Sequence, residues 1–122
     1  MQDFELQDEV RSTWEVAMNI THLEHAVYAL LIQGVFVLAF WRFAIATGAT
    51  VGAAFAAGFF ISREHAQREY KIGDPSHLMP WEAFDVWNWS TDAQLDMLVP
   101  VFVVTLVAIL LHRAAKSVRA HD

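Results

Sequence analysis

The chain has 122 residues, which suits one domain, and a formal net charge of −6. Hydrophobic residues make up 56% and mean hydropathy is +0.32, high for a water-soluble domain of this size. Clustered Lys and Arg for phosphate binding are missing, so nucleic acid is excluded as a natural partner, and with no cysteine there is neither a disulfide framework nor thiolate chemistry.

The first twenty residues read as an acidic amphipathic helix. Leu6, Val10, Trp14 and Met18 recur every fourth position, and Asp3, Glu5, Asp8, Glu9 and Glu15 fill the other faces. An acidic helix gains nothing from anionic lipid, so packing on the protein or docking a protein partner suits it better. No basic-then-apolar leader is visible, which predicts insertion through the spans themselves.

Ala26 to Ile61 follows, thirty-six residues broken in polarity chiefly by Gln33 and Arg42. As one rod it would measure ~54 Å at 1.5 Å per residue. A bilayer core is only ~30 Å thick, so the run is expected to fold back on itself in lipid. Thr21 and Glu24 match a capping box opening a first span over 22–40. Gln33, its one deep polar residue, should face another helix, where its amide can find a partner. Trp41 and Arg42 suit an interfacial turn, which is preferred over a break at Thr47-Gly48.

The second span, 44–62, is rich in small residues. Gly48, Gly52 and Ala56 form one ridge; Thr50, Ala54 and Gly58 form another. Small residues let backbones approach, either within one subunit or between subunits. The helix should extend past the membrane through Lys71, with Glu64/Arg68 and His65/Glu69 four apart, until Gly73-Asp74-Pro75 ends it. Glu64, His65, Arg68 and Glu69 form a charged cluster, read either as a solvated ion-paired helix end or as an intersubunit ring of ion pairs.

Trp81, Phe84, Trp87 and Trp89 in the next connection, together with Trp41, suit an interfacial aromatic belt. Thr91 and Gln94 match a second capping box before a third span over 95–111, in which Asp96 should lie at the interface or pair with another helix. Pro100 removes one backbone bond there. Lys and Arg count four against four across the two sides, and the basic C-terminal tail tips the orientation to N-terminus out and C-terminus cytoplasmic.

The fold class expected is all-α: an integral membrane three-helix bundle with an amphipathic N-terminal helix and a helical extension after the second span. The six histidines fall at predicted span ends, where a ring would be solvated, and the repeated HxxxH spacing of membrane di-iron enzymes is missing. No phosphate loop, GxSxG or HExxH occurs. The residues thus predict no enzyme, no metal and no cofactor.

The segments Ser62-Arg63-Glu64-His65-Ala66-Gln67-Arg68-Glu69-Tyr70, Met79-Pro80-Trp81-Glu82-Ala83-Phe84-Asp85 and Leu95-Asp96-Met97-Leu98-Val99-Pro100 resemble phage-encoded membrane proteins. The layout as a whole resembles the holin-like proteins of bacteriophages, which are small, often three-span and tailed by charge. That resemblance implies a homo-oligomer in the host inner membrane that permeabilises or perturbs it. The alternatives are a non-pore scaffold or partner-binding subunit, and a metal or haem redox subunit.

Overall fold

A computed structural model describes the backbone of residues 2–121 and the side chains of residues 20–121. Three long helices carry the fold: α1, Gln2–Ala39; α2, Ile45–Ile72; and α3, Thr91–His121. Each is long and apolar enough to cross a membrane, counting Ile20–Ala39 of α1. Each packs against both others. The amphipathic face expected over residues 1–19 lies outside the described side chains.

The helix ends follow from local chemistry. α1 passes straight through residue 20, so Thr21 sits inside a helix and not at its start. No proline and no glycine precedes Gly34, so nothing stops the helix where the capping-box pattern suggests a start. The chain turns at residues 40–44, with Arg42 in the turn; Phe43 N–H and Ala44 N–H both donate to the Phe40 carbonyl, at 2.9 Å each. Gly73 N–H closes α2 by donating to the Glu69 carbonyl at 3.1 Å. At α3 the cap is Ser90, one residue earlier than expected. Its Oγ accepts from Ala93 N–H at 3.1 Å, satisfying one of the first orphan donors of the helix.

The core is built from small residues. Ala29, Ala53, Ala56, Phe60 and Val104 are buried together, with Ile32 and Ala108 packed on them. Large side chains point outward instead: Leu31, Val35, Leu38, Phe55 and Phe102 are all more than half exposed. Each would gain about 1.5–3 kcal/mol by leaving water. A chain that turns such groups outward along all three helices is suited to lipid.

Residues 73–90 form a folded cover at one end. Three short 3-10 turns, Pro75–His77, Glu82–Phe84 and Val86–Asn88, carry it from α2 to α3. Trp89 is buried here and its Nε1–H donates to the Ala83 carbonyl at 2.9 Å. It therefore belongs to the packing of the cover, and not to an interfacial belt. Trp41, Trp81, Phe84 and Trp87 remain exposed, as a belt requires.

Candidate functional site

The antiparallel course of α2 brings the middle of α1, the second half of α2 and the start of α3 together near the covered end of the molecule. Four polar side chains meet there with little access to solvent: His22, His25, Glu64 and Asp96. The two histidines, three apart on α1, share a face. Asp92 and Asp96 do the same on α3, one turn apart. Glu64 enters from α2 beside Arg63.

Asp96 is the hub. Its Oδ1 lies 3.1 Å from His25 Nδ1 and 3.4 Å from His22 Nε2. Asp92 Oδ1 lies 3.5 Å from the same His22 nitrogen. Arg63 bonds Glu64 Oε1 and stands 3.9 Å from Asp96 Oδ2. The His25 ring rests against Phe60, with centroids 5.4 Å apart. His22 Nε2, His25 Nδ1 and Asp96 Oδ1 are buried and make no hydrogen bond. These contacts overturn the expectation that the span-end histidines are solvated. His22 and His25 are enclosed because α3 runs parallel to α1 and lays Asp92 and Asp96 against them; His77, His112 and His121 are exposed as expected.

The charged cluster expected on the end of α2 divides. Glu64 turns inward to Arg63. Arg68 instead grips Asp85 of the cover through Nε at 2.9 Å and a second nitrogen at 2.6 Å. That fork holds the Asp85 carboxyl below its usual range, at about 2, chiefly by its hydrogen bonds. His65 Nε2–H donates to the Pro80 carbonyl at 2.7 Å, its ring lies on Phe84 at 4.1 Å, and Glu69 is 3.9 Å away. Arg68 and His65 thus fasten the cover over the buried cluster.

Deeper in, Gln33 joins all three helices. Its Nε2 donates to the Ala49 carbonyl of α2 and the Val104 carbonyl of α3, both at 2.9 Å. The partners expected for this amide are backbone groups of the same chain. Gly48, Gly52 and Ala56 are buried, the two glycines directly against α1. Thr50, Ala54 and Gly58 face outward, and a Cβ on Gly58 would meet nothing within 4 Å.

His22, His25, Asp92 and Asp96 were not among the expected site residues. Their signal was present as i,i+3 and i,i+4 pairs at the two span ends that a three-span topology puts on one side. No family model, curated protein or solved structure matches the chain.

Proposed function

We propose that this chain is a small integral membrane protein that associates with its own copies in the plane of the bilayer and perturbs the membrane in a holin-like way. The observation that carries self-association is the division of small residues on α2. One ridge is consumed inside the protomer, while Thr50, Ala54 and Gly58 remain on the outer surface with room for a second backbone. A shallow apolar groove between α2 and α3, lined by Thr50, Ala54, Thr105 and Ala108, runs beside it. Permeabilisation rests on the architectural resemblance to holins.

Induced expression in bacteria tests this. The membrane potential should collapse abruptly, and Gly58→Leu should prevent the collapse while leaving the chain in the membrane. Continued growth at high membrane levels of the parent chain contradicts the reading.

A second reading is a non-pore membrane subunit that docks another protein. One observation favours it: Gln33 and the His–carboxylate cluster face the protomer interior, so they supply no polar edge for a lumen. Stoichiometric co-purification of one partner, without dye leakage from vesicles, is its signature.

A further inference from the structure

We infer that His22 Nε2, Asp96 and Asp92 supply the ligand atoms of a divalent transition-metal site, with Asp92 on the aqueous side and His25 Nδ1 held against Asp96 beside it. The site goes beyond membrane assembly and rests on other residues.

Unsatisfied polarity is the first argument. Leaving a buried polar atom unpaired costs about 1–3 kcal/mol. Here two such atoms, His22 Nε2 and Asp96 Oδ1, sit on side chains more than nine-tenths buried and lie 3.4 Å apart, with Asp92 Oδ1 3.5 Å from the same His22 nitrogen. They make no hydrogen bond. A cation between them would satisfy both at once.

Spacing is the second. Zinc-type bonds to nitrogen and oxygen are about 2.0–2.2 Å long, which puts neighbouring donors about 3.3–3.6 Å apart at tetrahedral angles. The separations of 3.4 Å from His22 to Asp96 and 3.5 Å from His22 to Asp92 match two edges of such a polyhedron. His22 Nε2, Asp92 and Asp96 each offer one ligand atom within 4.8 Å of the others.

Charge is the third. Among the described residues Arg63 is bonded to Glu64, which leaves the charges of Asp92 and Asp96 uncompensated when the rings are neutral. A divalent ion balances them. The imidazole of His22 beside two carboxylates favours zinc, iron or a neighbouring transition metal over magnesium or calcium, which prefer all-oxygen sites.

The surroundings would support the ion. Phe60 fixes the His25 ring, and Arg63 leans on the second oxygen of Asp96. Asp92, half exposed, gives a route in from water.

The test uses the full chain, purified in detergent micelles without a histidine tag, stripped with chelator and reloaded with Zn²⁺ or Co²⁺. One ion per chain should survive desalting, and bound Co²⁺ should give the visible d–d bands of a tetrahedral or five-coordinate site. His22→Ala and Asp96→Asn should each weaken binding at least tenfold. His77→Ala and His112→Ala should leave it unchanged. The assignment is overturned if the parent chain keeps no more ion than His22→Ala/His25→Ala of equal helicity. It is equally overturned if binding follows His77 or His112. Neither result bears on membrane potential or self-association, which are read separately.

Discussion

A Cβ placed on Gly52 would stand 2.8 Å from the Cα of Gln33. Backbone meets backbone there, so no side-chain rotation can relieve the contact. Gly48 is equally tight, 2.7 Å from the Phe36 carbonyl oxygen. Gly52→Leu is therefore expected to force α1 and α2 apart and to destabilise the protomer by more than the usual 1–3 kcal/mol of an overpacked core. Gly58→Leu should cost the protomer almost nothing. Unfolding in mixed micelles, compared with native mass in detergent, separates the two. Gly52→Leu should lower stability, while Gly58→Leu should lower oligomer size alone.

Gln33 predicts an order among substitutions. Its Nε2 makes two hydrogen bonds, and its Oε1 is buried without a partner. Gln33→Met removes both the bonds and the unsatisfied oxygen, so gain and loss nearly cancel. Gln33→Asn keeps a polar amide at the same depth but shortens its reach by one methylene. Asn should be less stable than Met by about 1–2 kcal/mol, measured as the shift in unfolding midpoint in mixed micelles. Equal stability would mean that the amide does not bridge α2 and α3.

The Arg68–Asp85 fork makes the cover sensitive to acid. Asp85 is held at about 2 by Arg68, below the ordinary carboxylate value. A depressed carboxyl contributes stability that is fully present above its unfolded pKa and is lost as pH falls towards the folded one. The cover should therefore loosen between about pH 4 and pH 2. Emission from Trp81 and Trp87, which flank Asp85 in sequence, reports it. Asp85→Asn should weaken the cover at neutral pH and flatten this acid transition. Arg68→Lys should also weaken it, since an ammonium cannot make the two-pronged contact.

Trp89 differs from its neighbours. It is 5% exposed, whereas Trp81 and Trp87 are 68% and 79% exposed. Aqueous iodide should quench a chain whose only tryptophan is Trp87, and should leave one whose only tryptophan is Trp89 nearly unaffected. Trp89→Phe should cost about 1 kcal/mol for the lost bond to the Ala83 carbonyl.

The rods and their turns were legible in the sequence because hydropathy and breakers act locally. Arg42 marks the turn between α1 and α2, and Gly73-Asp74-Pro75 marks the end of α2. Thr21 misled for the same local reason: a capping pattern starts a helix only where something has stopped the previous one. The inner cluster was hidden for a different reason. His25 and Asp96 are far apart in the chain, and only the relative rotation of α1 and α3 decides whether their faces meet. Periodicity gives each helix its faces without saying which faces are paired. Arg68 shows the same limit: sequence spacing offered Glu64 four residues back, and the fold supplied Asp85 from the cover instead.

Three lipid-suited helices enclose a His–carboxylate centre at one end of the molecule. Solid-state NMR of the isotope-labelled full chain in lipid bilayers tests it most directly, through magnetisation transfer between the His25 ring nitrogens and the Asp96 carboxyl carbon. A short-range cross-peak is expected, absent in Asp96→Asn, with His112 showing no such partner. A well-folded, membrane-embedded chain without that cross-peak would contradict the account, as would a monodisperse chain in plain buffer without amphiphile.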